Sequence, residues 1–132
     1  MSGTPSFLAT LVCGTALALG FSAYADACDS AGKKVRIQVK VDAAGQPEAD
    51  PDTVDVCIGD TIHWIFPGAA KKFKVQFVGD TPVEWHEKSS DSSATIEGTV
   101  QPGKVKGDAP TPYKYNVEVD GKVLDPKIIV KP

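Results

Sequence analysis

The chain has 132 residues, with 14 Lys and Arg against 17 Asp and Glu, a formal net charge of −3 and 42% hydrophobic residues. This mildly acidic balance, without a basic run, offers no electrostatic footprint for nucleic acid or an anionic membrane surface. The length admits one domain with its own core, and the sequence shows neither an internal repeat nor a second domain.

Residues 7–21 form an apolar run interrupted by Thr10, Gly14, Thr15 and Gly20, followed by Ser22-Ala23-Tyr24-Ala25-Asp26. The small residues Ala23 and Ala25 match the A-x-A pattern that signal peptidase accepts. The run is shorter than the ~20 apolar residues of a membrane span. Residues 1–25 are therefore expected to be a cleaved signal peptide, leaving no stable membrane anchor and placing the protein in the periplasm or outside the cell. The absence of Lys and Arg before the run departs from the usual pattern, and an uncleaved anchor is the alternative. Of three cysteines, Cys13 lies in this segment, and Cys28 and Cys57 remain. Two cysteines in an exported chain favour one disulfide. Closing a loop of about 30 residues would contribute roughly 3–4 kcal/mol by the chain-entropy argument. Free thiols are one alternative. Lipid attachment at Cys28 is another, but Ala25-Asp26-Ala27 makes a poor lipobox.

Residues 26–33 read as a polar leader, and 34–132 as the folded domain. Lys34-Val35-Arg36-Ile37-Gln38-Val39-Lys40-Val41 alternates strictly, which predicts a half-buried strand. Residues 42–52, with Gly, two prolines and acids, read as a loop. Strands follow at 53–58 and 61–66, separated by a Gly59-Asp60 turn and ended by Pro67-Gly68. Residues 73–77 alternate again. The signal then weakens through 79–107, where Ser89-Ser90-Asp91-Ser92-Ser93 reads as a polar loop and 95–100 as a short strand. Residues 113–119 alternate cleanly, Asp120-Gly121 is a strong hairpin-turn dipeptide, and Lys127-Ile128-Ile129-Val130 closes the pattern. Short strands with turn signals between them, and no helical period, predict an all-β, antiparallel Greek-key sandwich or barrel.

Two stretches carry a family resemblance. Pro51-Asp52-Thr53-Val54-Asp55-Val56 followed by Gly59-Asp60-Thr61-Ile62-His63-Trp64 resembles the cupredoxin pattern P-x-T-V-x-V…G-D-T-V-x-W. Tyr113-Lys114-Tyr115-Asn116-Val117, ending in Lys127-Ile128-Ile129-Val130, resembles the closing Y-x-Y-x-C…G-x-I-x-V of the same family. The resemblance spans most of residues 35–130 and implies a cupredoxin-like sandwich. It also implies where copper ligands would stand: two His, one Cys and a weak axial Met at one pole. Here those positions are Phe73, Val117, Asp120 and, for the axial ligand, Val123 or Leu124. No Cys, His or Met occurs after His86, so a shift in alignment of one or two residues does not restore a thiolate, and type 1 copper electron transfer becomes the weakest functional reading short of an enzyme.

The remaining chemistry is sparse. His63 is in phase opposite Trp64 and reads as a surface strand histidine. His86 and Glu87 read as loop residues; His63, His86 and Glu87 are the weak candidates for a non-blue copper or zinc site, for want of further ligands. Trp64, Phe66, Phe73, Phe77, Tyr113 and Tyr115 read as core aromatics. Trp85, in polar surroundings, is the candidate for an exposed aromatic platform. Lys71, Lys72 and Lys74 form a small basic cluster beside the vacated pole, either an interaction surface or a solvated edge. No nucleophile constellation is present, so no enzyme is expected. The sequence reading is thus an exported cupredoxin-like module without a blue-copper site or other cofactor. It would bind an unidentified protein or small molecule through residues 67–72 and 83–93. A metal-handling protein with a non-blue site is the alternative.

Overall fold

The computed structural model describes Cys28 and residues 32–69 and 71–132; the expected signal peptide, and most of the expected leader, lie outside the described residues. Ten strands follow in order: β1 Lys34–Val41, β2 Pro47–Asp50, β3 Thr53–Cys57, β4 Thr61–Ile65, β5 Lys74–Phe77, β6 Glu87–Ser89, β7 Thr95–Thr99, β8 Thr111–Val119, β9 Lys122–Leu124 and β10 Lys127–Lys131. The described helical structure is a single 3-10 turn at Pro67–Ala69.

The strands form a two-sheet β-sandwich. One sheet runs β2-β1-β4-β7; the other runs β3-β10-β8-β5-β6, with β9 also paired to β8. Most pairings are antiparallel, as the turn signals predict. Each sheet also holds one parallel pair, β1 with β4 and β3 with β10, so the sheets are mixed. Residue alternation does not distinguish parallel from antiparallel neighbours, and only the chain path decides.

Period-two patterning places the core. Ile37 and Val39 of β1, Ile62 and Trp64 of β4, and Tyr113, Tyr115, Val117 and Val119 of β8 are buried, while Arg36, Gln38, Lys40, Pro112 and Lys114 between them are exposed. All six expected core aromatics are buried. Trp64, Phe77 and Tyr115 meet between the sheets, with Trp64 edge-on to Tyr115 at 5.7 Å and Phe77 tilted on Tyr115 at 5.3 Å. Offset and edge-on rings add about 0.5–1.5 kcal/mol per pair beyond their burial.

Two strands fall where loops were expected. β2 occupies part of 42–52 and begins at Pro47; it is an edge strand, where a proline costs no ladder bond. β6 occupies Glu87–Ser89, fully exposed and paired only to β5. Neither buries enough apolar surface to show as alternation.

The Gly59-Asp60 turn does more than reverse the chain. Asp60 is buried, and its carboxylate accepts the Cys57 N–H and the Lys33 N–H, each at 2.9 Å. It thereby ties the chain entering β1 to the β3–β4 corner. Nearby, Cys28 and Cys57 form the expected disulfide, and the Cys28 N–H donates to Pro132 O at 2.9 Å. On the outer face of the β3 end, which Cys57 occupies opposite Val56, the chain is thus anchored through Cys28.

Candidate functional site: the closing hairpin and its pole

The β8–β9 hairpin decides what the pole can do. Val119 pairs with Lys122, Glu118 with Val123 and Val117 with Leu124, leaving Asp120 and Gly121 as a two-residue loop. Their φ values of 51° and 81° are those of a type I′ turn, which needs positive φ at both centres and favours Asp-Gly for that reason. The backbone hydrogen-bonds up to the turn, so no slack loop projects from the pole here.

Each position that the resemblance assigns to copper is accounted for differently. Val117 is fully buried, between Val75 of β5 and Leu124 of β9. Phe73 is buried, and its N–H donates to Ser90 Oγ at 3.0 Å while its carbonyl accepts the Ser90 N–H at 2.8 Å. Asp120 is exposed and accepts from Lys71 Nζ at 2.7 Å. Val123 faces solvent and Leu124 is half-buried. Two buried hydrocarbons, a turn carboxylate and two aliphatic side chains provide none of the thiolate, imidazole or thioether donors that type 1 copper needs. The residues present do not fit that metal.

The pole instead carries an open groove of about 410 Å³, bordered by Lys72, Phe73, Lys74, Ser89, Glu118 and Asp120. Of the basic cluster, Lys71 is committed to Asp120, and Lys74 lies 3.4 Å from Glu118 and 3.8 Å from Glu87. Lys72 is exposed at the rim. Such exposed pairs contribute at most about 1 kcal/mol each, so the rim is polar and of mixed sign. Two further clefts lie along strand edges, one of about 340 Å³ beside Glu48, Asp50 and Asp52, and one of about 370 Å³ between β6 and β7.

The candidate metal residues do not converge. His63 sits on the outer face of its sheet, opposite Arg36 on one side and Glu97 on the other. Its Nε2 is 3.8 Å from Glu97 Oε2, and its buried Nδ1 has no hydrogen-bond partner. His86 is exposed and its Nε2 is 2.8 Å from the Gly79 carbonyl. Glu87 faces Lys74. Among the described residues, no three His, Cys, Asp or Glu side chains gather to hold a metal ion.

Trp85 departs from the expected platform. It is half-buried, with its ring 5.7 Å from Trp64 and 5.8 Å from Phe77, and its Nε1–H donates to Glu97 O at 2.8 Å. It caps the core aromatics instead of standing free. Its polar neighbours in sequence concealed this, because the rings it meets come from β4 and β5.

The stretches that carried the resemblance meet in part: Thr53–Cys57 pairs along Lys127–Lys131, which pairs with the start of β8, whereas Thr61–Ile65 lies in the other sheet. The fold is a two-sheet β-sandwich, the architecture that the resemblance implies. Among solved structures, it is similar to a purple cupredoxin from Nitrosopumilus maritimus, at 15% identity over 74% of this chain and 99% of that one, with a TM-score of 0.47. It is similar also to a pseudoazurin from Sinorhizobium meliloti, at 17% identity over 76% of this chain and 75% of that one, again with a TM-score of 0.47. No family model matches the sequence, and no curated protein matches it. Within this sandwich, the pole is a closed hairpin over a hydrocarbon floor.

Proposed function

We propose that the chain is an exported, non-enzymatic binding or interaction module on a cupredoxin-like sandwich, acting without a blue-copper centre. One observation carries this reading. The aligned ligand positions Phe73 and Val117 are core residues, and the closing segment is a two-residue turn. A fold keeps its scaffold when its site is rebuilt, and function follows the new site. The groove beside Lys72 and Ser89 is the surface offered for a protein or small-molecule partner. The paired cysteines and the A-x-A pattern near Ala25 support export. No helix among the described residues is long and apolar enough to cross a membrane.

The deciding experiment is metal content after incubation with copper or zinc and desalting, read with the visible spectrum. A colourless protein holding well under one metal per chain is the expected result. An intense band near 600 nm, roughly where copper–thiolate charge transfer falls, would overturn the reading. The second reading, a non-blue metal site, has His63 beside Glu97 as its nucleus. One bound metal without the band, lost on His63→Ala, would establish it.

A further inference from the structure

Among the described residues β7 ends its sheet and pairs with β4 alone, so one side of its backbone has no neighbouring strand there. The Phe66 N–H bonds Ala94 O, and the Val100 N–H bonds Asp60 O; these bonds set the even-numbered residues of β7 toward β4. The N–H and C=O groups of Thr95, Glu97 and Thr99 therefore point outward. An edge of this kind is a template for a strand from another chain.

Here five of these six groups are met from the protein's own loops. The Thr95 N–H donates to Asp91 Oδ1 at 3.2 Å, and Thr95 O accepts the Asp91 N–H at 3.4 Å. Glu97 O accepts Trp85 Nε1–H at 2.8 Å. The Thr99 N–H donates to Glu84 Oε1 at 2.7 Å, and Thr99 O accepts Gln101 Nε2–H at 2.9 Å. The segment 81–86 lies flush on the strand. A Cβ at buried Gly98 would stand 3.0 Å from Val83 Cβ and 3.1 Å from Trp85 Cζ2. The segment is held there by Thr81 Oγ1 donating to Trp85 O at 2.7 Å, the Val83–Val100 bridge and the Trp85 ring against Trp64.

One edge of the other sheet, β6, is guarded differently. β6 has three residues, and Lys88 pairs with buried Val75, which puts its side chain on the inner side of the sheet. A short edge with an inward lysine resists strand addition by cost; β7 resists it by occupancy.

We propose that segment 81–86 is an edge guard whose Glu84 and Trp85 side chains stand in for the strand of a second copy of this chain. Two β7 edges are self-complementary in antiparallel register, so removing the guard creates an isologous dimer interface. The test is sedimentation velocity over a concentration series, with the wild type compared to a Glu84→Ala, Trp85→Phe double variant. The phenyl ring keeps most of the packing while the N–H donor is lost.

The wild type is expected to stay monomeric, and the double variant to gain a concentration-dependent species of twice the mass. Adding Thr99→Pro, which removes an outward N–H that an edge strand can spare, is expected to restore the monomer. A folded double variant that stays monomeric overturns the proposal, as does a dimer that Thr99→Pro leaves intact. Glu84→Ala alone keeps the test valid if the double variant does not fold. It is expected to show the same concentration dependence and, at concentrations where it is monomeric, roughly tenfold or faster exchange of the Thr99 amide, the loss of a charge-assisted bond. Unchanged Thr99 exchange, or no dimer, overturns the proposal.

Discussion

Trp64 Nε1–H donates to the Tyr115 hydroxyl at 3.2 Å, joining β4 of one sheet to β8 of the other inside the core. The indole donor of a buried tryptophan needs a partner, and the facing tyrosine supplies it where the two rings meet edge-on. The contact bridges the two sheets at the centre of the sandwich, where Phe77 and Trp85 also pack against these rings.

Tyr115→Phe keeps the ring and removes the acceptor, leaving the Trp64 N–H unpaired in a dry core. The expected cost is about 1–3 kcal/mol, read as a lowered urea midpoint at unchanged slope. A midpoint equal to wild type would mean the hydroxyl contributes nothing there.

Asp60 tests a buried carboxylate that serves backbone donors. Asp60→Asn retains one acceptor oxygen but turns an amide N–H toward either the Cys57 or the Lys33 donor. Hydrogen bonds to a charged acceptor contribute about 1.5–3 kcal/mol each, and a loss of that order is expected in thermal or denaturant unfolding. Asp55→Asn, at an exposed position of β3, is the control and should fall within about 0.5 kcal/mol of wild type.

The Cys28–Cys57 disulfide closes a separation of 29 residues and holds Cys28 against β3 and the C-terminal Lys131 and Pro132. Reduction, or a paired Cys28→Ser, Cys57→Ser variant, is expected to lower stability by roughly 2–4 kcal/mol. Thiol titration of the unreduced, denatured protein should find almost no free thiol at these two positions. Two thiols per chain would show the bridge unformed in solution.

Alkaline pH gives a sharper readout. Burial raises the pKa of Tyr113 above 10, with Asp80 adding to it, and burial raises that of Tyr115 further despite the Trp64 hydrogen bond. Both groups are neutral in the fold and ionise more easily in the unfolded chain. The stability they contribute is therefore complete below about pH 10 and is lost as pH rises through the folded-state values. Tyrosinate absorbance from these two residues is expected to appear together with loss of the near-ultraviolet tryptophan signal. Tyrosinate forming near pH 10 in a chain that is still folded would contradict their burial.

At the acid end the sign reverses. Asp91 is held below its ordinary range, chiefly by the Ser93 hydroxyl and then by the Thr95 N–H. Its contribution is present above the unfolded value near 4 and lost as pH falls through the folded one. Asp91→Asn is expected to flatten the acid limb of the stability profile. An unchanged limb would show that the exposed turn does not couple to folding.

Alternation makes β1, β4 and β8 legible in the sequence, because each shows one face to the core and the other to water. Asp120-Gly121 announced the hairpin for a local reason, the positive φ that the turn requires. That no Cys, His or Met follows His86 is also a property of the sequence itself. β2 and β6 were not legible, because a short edge strand buries too little to show a period. The place of Trp85 was hidden as well: its neighbours in sequence are polar, and its partners Trp64 and Phe77 are distant along the chain. The buried role of Asp60 and the sealing of β7 depend on donors that meet only when loops close on strands. Residue order alone thus determined the two-faced strands, the turn and the missing donor set, each a property of one short stretch. Tertiary structure alone decided which strands run parallel, where the polar edges are filled and what covers the core, because those are pairings between stretches far apart in the chain.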